Sequence, residues 1–121
     1  MEESINVLGS KLESCSTDPM TGWFRDGCCN TDKRDYGRHV VCAVMTEVFL
    51  AFSKGAGNDL SSPAPGFSGL KEGDRWCLCL SRWVEAYDSG MAPYVVLKAT
   101  HESALEMVPL EKLQEHAYKE E

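Results

Sequence analysis

The stretch Gly73–Trp83, which reads GDRWCLCLSRW, decides the fold of this chain. Its first two residues, Gly73 and Asp74, are typical of a turn, and the next six, Arg75–Leu80, alternate or run apolar in a way that suits a buried strand. Ser81 is then the predicted cap of a helix that carries Trp83 and Tyr87 on one face. The strand holds two of the six cysteines, and the period of two in a strand places both side chains on the same face. This stretch separates an irregular first half from a regular second half.

A strand and a helix are also predicted before this stretch. Val40–Met45 is apolar throughout and rich in β-branched residues, which predicts a buried strand. Thr46 is the predicted cap of the helix that follows, and Gly55 is its predicted end. A single helix over Val40–Lys54 is the competing interpretation, because a short apolar run suits both structures.

A third strand and two more helices are predicted toward the end of the chain. Tyr94–Ala99 reads as the strand, and Thr100 reads as the cap of a helix with Leu105 on its buried side. Pro109 suits the first turn of a final helix, on which Leu113 belongs to the apolar stripe. The second half of the chain is therefore strand followed by helix three times over.

These elements predict an α+β fold in one compact domain that spans the whole chain. We expect a small mixed sheet of three or four strands, with short helices packed on it and two long ordered loops. The two ends of the domain, residues 1–4 and 118–121, are predicted to be frayed.

The two predicted loops are the irregular stretches of residues 15–39 and 55–73. Both contain several glycines and at least one proline, which interrupt any regular period. Both also contain large apolar side chains, which is unusual for a disordered segment, so we expect each loop to fold down onto the core. Phe67 and Leu70 are the predicted anchors of the second loop.

Composition and charge exclude several classes of function. A net charge of −7 argues against a nucleic-acid partner, because phosphate binding requires a positive surface. The sequence contains no apolar run near the ~20 residues that a membrane helix needs, and its first residues, MEESINVLGS, do not resemble a secretory signal. We therefore predict a cytoplasmic protein with no membrane association. In that compartment the six cysteines are expected to be reduced thiols.

A thiol site is predicted in the first loop, where Cys28 and Cys29 are adjacent. Arg25 lies close to this pair in the sequence, and a nearby cation lowers the pKa of a thiol and favours the reactive thiolate. One of the two cysteines is therefore a candidate nucleophile or redox group, with His39 as a candidate base and Cys15 as a candidate resolving thiol. The alternative, a buried structural thiol without chemistry, stays open.

The spacing of the cysteines argues against a zinc site. Zinc ligands usually occur as C-x₂₋₄-C pairs on tight turns, whereas this chain has one C-C and one C-x-C pair. Convergence of the first loop on the central strand would be needed to form a metal site, and we predict no metal ligands. Cys42, Cys77 and Cys79 are predicted to be small buried hydrophobic residues.

A ligand-binding sheet edge is a further hypothesis. Thr46, Ser81 and Thr100 each place a hydroxyl at a predicted helix N-terminus directly after a strand. If the strands are parallel, these turns meet at one edge, where α/β proteins commonly bind ligands and helix N-termini bind anions. Arg75 would add positive charge there, and Trp23 is a candidate for lining a pocket beneath the first loop. Helix capping alone explains the same hydroxyls without a ligand.

Four long segments of the chain together resemble one known family. They are Cys15–Cys29 (CSTDPMTGWFRDGCC), Asp35–Leu60 (DYGRHVVCAVMTEVFLAFSKGAGNDL), Gly69–Ala86 (GLKEGDRWCLCLSRWVEA) and Val95–Ala117 (VVLKATHESALEMVPLEKLQEHA). Over about Asn6 to Ala117, the chain is similar to the domain-of-unknown-function 2237 family. The resemblance implies a small single-domain protein of a mostly bacterial family. It brings no established activity, substrate or catalytic residue.

Three classes of function follow from these observations. The first is a small ligand-binding or regulatory module, which an acidic chain without a strong catalytic motif leaves as the default. The second is a thiol- or metal-dependent enzyme centred on the Cys28-Cys29 loop. The third is a structural or protein-interaction role. The sequence leaves the cofactor open and limits the partner to a small molecule or a protein of unknown identity.

Overall fold

A three-stranded antiparallel sheet is the centre of the fold. The structure, a computed structural model, describes residues 4–17, 20–32, 34–35, 38–63 and 69–118. Its strands are β1 (His39–Val44), β2 (Arg75–Cys79) and β3 (Tyr94–Val95), in the order β2-β1-β3. The predicted α+β class and number of strands are confirmed. The pairing is antiparallel in both cases, not mixed or parallel.

Within the part of the chain that the structure describes, three short α-helices and two 3₁₀ turns accompany the sheet. The helices are α1 (Glu47–Gly55), α2 (Leu80–Asp88) and α3 (Leu110–Glu115), and the 3₁₀ turns span Leu97–Ala99 and Glu102–Glu106. No helix in the described ranges has the length and hydropathy needed to cross a bilayer.

Helix α1 begins and ends where the sequence predicts. The Phe49 N–H donates to Thr46 Oγ1 over 3.0 Å, so Thr46 is a true N-cap, and the helix ends at Gly55. Glu47 in the first turn suits the positive end of the helix dipole. Because β1 forms directly before this cap, the competing single helix over Val40–Lys54 is wrong.

Two predicted caps are corrected by the structure. Helix α2 begins at Leu80 with Cys79 at its N-cap, so Ser81 lies inside the helix, where its Oγ is 3.3 Å from Cys79 Sγ. Thr100 does not cap a helix either. The cap of the 3₁₀ turn that follows is His101, whose Nδ1 accepts the Ser103 N–H over 3.0 Å.

The third strand is shorter than the predicted Tyr94–Ala99. The Val96 carbonyl accepts both the Thr100 hydroxyl (3.0 Å) and the Ala99 N–H (3.1 Å), which turns the chain out of the extended conformation. In the 3₁₀ turn that follows Thr100, Leu105 is 41% exposed and not buried as predicted, because the tighter period directs Ala104 inward instead.

The pairing of β1 with β2 determines which side chains share a face. Cys42 lies opposite Cys77, and His39 lies opposite Cys79, with a bulge in β1 between these two pairs. Residues directly opposite each other in a sheet project to the same side. The prediction that Cys77 and Cys79 share a face is consistent with this register, and the bulge adds His39 to that face.

The interior consists of two apolar clusters. The larger one is built around Trp83, which is fully buried, and includes Phe49, Leu78 and Leu113. The smaller one contains four cysteines together with Val44, Val96 and Ala99. The second loop reaches the larger cluster through Leu70, as predicted, whereas its other predicted anchor, Phe67, lies outside the described residues. The ends that were predicted to fray lie mostly outside them as well.

The first loop folds back on the edge strand β2. The Cys77 N–H donates to Thr21 Oγ1 over 2.9 Å, so a side chain from the loop satisfies a backbone donor on the side of β2 that faces away from β1. Thr21 is fully buried, and the carbonyl of Gly27 accepts the Cys15 N–H over 2.7 Å. The loop is therefore an ordered cover over β2, as its apolar content predicts.

Candidate functional site

A cleft of about 340 Å³ lies between the first loop and the edge of the sheet. Its lining residues come from the loop, from β1 and β2 and from the second loop: Thr21, Gly22, Trp23, Arg25, His39, Leu60, Trp76 and Cys77. Three of these, Trp23, Arg25 and His39, are residues to which the sequence assigns a binding or catalytic role. The cleft therefore unites candidates that lie up to 16 positions apart.

Aromatic and cationic side chains dominate the cleft. The Trp23 and His39 rings are stacked, with their centroids 6.3 Å apart and an angle of 14° between their planes. The Arg25 guanidinium lies 5.3 Å from the centroid of the Trp76 ring, within the range of a cation–π contact. Trp23 remains 39% exposed, so an apolar surface faces the solvent at the mouth of the cleft.

The first loop, which forms one side of the cleft, contains residues with positive φ angles. Arg25 has φ of +55° and Gly22 has φ of +102°, both in the left-handed region. A Cβ at Gly22 would collide with the carbonyl oxygen of Cys28, so the close approach of the two loop segments requires glycine there. Such strain at a non-glycine residue is typical of a site that holds one side chain in a fixed place.

His39 is held by the buried carboxylate of Asp35. Its Nδ1 lies 2.7 Å from Asp35 Oδ1, and its backbone N–H donates to Asp35 Oδ2 over 2.9 Å. Thr31 Oγ1 donates to the same Oδ2 over 3.1 Å, and the Asp35 side chain is fully buried. The contact with a carboxylate oxygen requires a proton on Nδ1 and fixes the orientation of the ring. A ring oriented in this way is suited to hydrogen bonding with a ligand or to proton transfer.

Two disulfide bonds lie beside the cleft. Cys29 is bonded to Cys77, and Cys15 is bonded to Cys42. All four residues are buried, and Cys77 also lines the cleft. The expectation of six reduced thiols is therefore wrong for these four cysteines in this structure. Each bond joins a cysteine of the first loop to a cysteine of the sheet, and the two sheet residues, Cys42 in β1 and Cys77 in β2, lie opposite each other. The spacing of the cysteines in the sequence does not reveal these contacts.

The remaining cysteines, Cys28 and Cys79, carry thiols and are partly buried. Burial, and to a smaller extent the charge of Asp26, raises the pKa of Cys28 above its ordinary value. The predicted activation of Cys28 by Arg25 is not supported, because that guanidinium lies over Trp76. Cys29 is bonded to Cys77, so neither it nor Cys15 is available in this form as a nucleophile or resolving thiol.

The predicted ligand-binding sheet edge is not assembled. Because β1 and β2 are antiparallel, Thr46 and Ser81 follow their strands at opposite ends of the sheet. Thr100 is fully buried, with its hydroxyl bonded within the protein. Arg75 lies over the ring of Tyr118, 5.5 Å from its centroid, and does not line the cleft. The hydroxyl at Thr46 is explained by capping alone.

Reasoning from the sequence missed the supporting residues of the cleft. Asp35 carries no signal except its position four residues before His39, and Thr21 resembles any other turn threonine. Trp76 borders both the larger apolar cluster and the cleft. The sequence does nominate Trp23, as an aromatic residue that could line a pocket, and Arg25, as a cation close to Cys28 and Cys29.

The fold and the cleft define a small α+β protein in which two disulfides join a long loop to the sheet beside a cleft. Comparison with known families gives a specific assignment. Residues 5–117 match the model of the family described as an uncharacterized protein conserved in bacteria, DUF2237, and the chain belongs to that family. The predicted resemblance is confirmed. A search of curated proteins finds no match.

Proposed function

We propose that the protein is a small ligand-binding module whose cleft takes a small molecule with a flat apolar part and an anionic group. The observation that carries this proposal is the presence of Trp23, Arg25 and His39 in one cleft. Its volume of about 340 Å³ falls within the usual range for small-molecule sites. A role in protein interaction is less well supported, because it would not require this concave site.

Each part of the proposed ligand corresponds to a group in the cleft. The exposed face of Trp23 offers a stacking surface for a planar group. Arg25 presents donors in the fork geometry that suits a carboxylate or phosphate, and His39 provides a further polar contact. Arg25 is the permanently charged side chain among the residues that line the cleft, and its positive charge favours an anion there although the chain has a net charge of −7.

The proposal can be tested with benzoate as a probe and benzamide as its neutral analogue, by following the indole N–H signals of Trp23 and Trp76 by NMR. We expect benzoate to shift both signals and to bind more tightly than benzamide. Arg25→Gln should weaken benzoate binding by roughly ten- to a hundredfold, because a hydrogen bond to a charged group contributes about 1.5–3 kcal/mol. Arg75→Gln is the matched control, since Arg75 lies outside the cleft lining.

Two results would overturn this proposal. One is the absence of any shift at the two indoles with either probe at millimolar concentration. The other is equal loss of benzoate affinity in Arg25→Gln and Arg75→Gln, which would place the anion elsewhere.

A thiol-dependent enzyme is the second candidate, and one observation favours it. His39, already oriented by Asp35, lies directly opposite the thiol-bearing Cys79 in the sheet. A base held by a carboxylate beside a thiol is the arrangement of a cysteine nucleophile. We expect His39→Gln to slow alkylation of Cys79 by iodoacetamide and to leave Cys28 unchanged. Equal alkylation rates in the two proteins would remove this candidate.

The cytoplasmic location expected from the sequence is part of the proposal. Disulfides are rare in a reducing cytoplasm, where thioredoxin and glutathione keep thiols reduced. A protein of this kind in that compartment would hold its four bonded cysteines as thiols for part of the time.

A further inference from the structure

The two disulfides form one compact group of four sulfur atoms. The Sγ atoms of Cys15, Cys29 and Cys42 all lie within 4.8 Å of one another, and Cys77 is bonded directly to Cys29. All four residues are at most 4% exposed. Four sulfur atoms from four separate segments therefore meet at one buried point.

Because these four cysteines converge, their unfavourable spacing in the sequence is no longer an argument against a metal site. The C-C and C-x-C spacings are poor for zinc only if both members of a pair are ligands. In the fold, Cys29 comes from one pair and Cys77 from the other, while Cys15 and Cys42 are single cysteines. No two of the four sulfurs are adjacent in the sequence, so each can approach an ion from its own direction.

We propose that the reduced form of this four-cysteine cluster binds one zinc ion. A dithiol reductant would transfer two electrons and two protons to each disulfide and would itself become a disulfide. Zinc would then displace the four thiol protons and bind four thiolates. Zn–S bonds of about 2.3 Å in a tetrahedral site put the sulfurs about 3.8 Å apart. Three of the four sulfurs already lie within 4.8 Å of one another, and the fourth, Cys77 Sγ, is bonded to Cys29 Sγ, so only small shifts are needed to reach that geometry once the two disulfides are reduced.

The surroundings of the cluster favour the metal over free thiolates. Val44, Val96 and Ala99 pack against the sulfurs, and such an apolar setting strongly disfavours uncompensated negative charge. The reduced cluster is therefore four neutral thiols without a metal, or four thiolates whose total charge of −4 the zinc ion reduces to −2. Thiolate ligands also select soft ions such as zinc over calcium or magnesium. The inference does not depend on a ligand in the cleft.

The test compares the whole chain in its reduced and oxidised forms. The protein is reduced with a phosphine, separated from the reductant without oxygen, and titrated with Co²⁺ and then with Zn²⁺. We expect the reduced chain to take up one Co²⁺, with the thiolate charge-transfer absorption and the visible bands of a tetrahedral site, and zinc to displace it. The oxidised chain should show neither absorption. Apparent affinity should rise with pH, since the ligands must lose protons.

Two variants decide which cysteines are responsible. Cys28→Ser/Cys79→Ser is the matched control, since it removes two thiols and keeps the cluster intact, and it should bind metal like the unmodified chain. Cys42→Ser should weaken metal binding by at least about a hundredfold, because even second-sphere changes at zinc sites cost 10–100-fold.

Three results would overturn the proposal. The first is a reduced chain that gives no thiolate charge-transfer band with Co²⁺. The second is a band that is lost in Cys28→Ser/Cys79→Ser, which would assign the metal to the other thiols. The third is an undiminished band in Cys42→Ser. Should Cys42→Ser fail to fold, alkylation of the unmodified reduced chain with and without zinc replaces it, and equal labelling of all six cysteines would count against the site.

Discussion

At the scale of single residues, Thr100 shows how one buried hydroxyl determines local geometry. Its Oγ1 accepts the Cys42 N–H over 3.1 Å and donates to the Val96 carbonyl over 3.0 Å. The residue therefore turns the chain after β3 and at the same time satisfies a backbone donor of β1. The four-cysteine cluster depends on it, since Cys42 belongs to that cluster.

Thr100→Val should lower the free energy of unfolding by about 1–3 kcal/mol. Valine keeps the shape but leaves the buried Cys42 N–H without its acceptor. Thr100→Ser, which keeps the hydroxyl, is the control, and urea unfolding of both variants is the measurement. A valine variant that proves as stable as wild type would show that the hydroxyl contributes nothing.

A second residue-scale prediction concerns pH. Burial lowers the pKa of His101 below its ordinary 6.5, against the opposing charges of Glu102 and Glu106. The unfolded chain therefore binds more protons than the folded one in this range, so His101 makes stability fall as pH drops below about 6.5. Its neutral Nδ1 is also the acceptor that caps the following turn.

His101→Asn should reduce this loss, because asparagine retains a capping oxygen but does not titrate. The measurement is the change in free energy of unfolding between pH 7.5 and pH 5 for the variant and the wild type. His39 and His116 are present in both proteins and so cancel to first order. An equal change in the two proteins would contradict the assignment to His101.

These residues also show which kinds of contact can be predicted from the sequence. The hydroxyl of Thr100 was expected to be used locally, as a helix cap, since local pairings are the ones that spacing reveals. One of its two partners, the Val96 carbonyl, is local, but the other, the Cys42 N–H, lies 58 positions away, and no local pattern indicates that contact. Thr46, whose partner is three residues away, was predicted correctly for the same reason.

At the scale of elements, two segments of the first loop approach each other closely at Gly22 and Cys28. Gly22 →Ala introduces a Cβ that collides with the Cys28 carbonyl and also forces alanine into the left-handed region. The left-handed conformation costs about 1–2 kcal/mol, and the collision should add roughly 1–3 kcal/mol. We therefore expect a substantial loss of stability in this variant.

Gly57→Ala is the matched control for this change. Gly57 also has a positive φ, of 93°, but no atom lies within 4 Å of a Cβ placed there. Urea unfolding should show that Gly22→Ala loses at least about 1 kcal/mol more than Gly57→Ala. Equal losses of stability in the two variants would mean that the segment around Gly22 can move away from Cys28 at no cost in free energy.

Elements with local signals were predicted well, and their arrangement was not. The bounds of β1 and α1 follow from a β-branched run, a threonine cap and a terminal glycine, all of which are consecutive in sequence. The antiparallel pairing of β2 with β1 depends on the path of the second loop, which no local pattern determines. The cleft lies where both loops meet the sheet. Some of its lining residues could therefore be predicted one by one from the sequence, but the fact that they lie together could not.

At the scale of the whole molecule, the two disulfides connect the first loop to the sheet. They close segments with sequence separations of 27 and 48 residues. In the chain-entropy description, such closures stabilise the folded state by about 3.5 and about 4 kcal/mol, respectively. Contributions of this size are comparable to the total free energy of unfolding of a small domain.

Reduction in the presence of a chelator should therefore lower the free energy of unfolding by several kcal/mol and release the first loop. The chelator prevents zinc from replacing the bonds. The measurement is urea unfolding with and without reductant, with Cys28→Ser/Cys79→Ser as the control that keeps both disulfides. Unfolding curves that coincide while all six thiols are titratable would contradict this prediction.

The order of the bonded cysteines along the chain has a consequence for cleavage. Cys29 lies between Cys15 and Cys42, and Cys42 lies between Cys29 and Cys77, so the two closed segments overlap. A protease that cuts the oxidised chain once, anywhere between Cys15 and Cys77, leaves two fragments that are still joined covalently. Nicked molecules would thus keep their full mass until a reductant separates the halves.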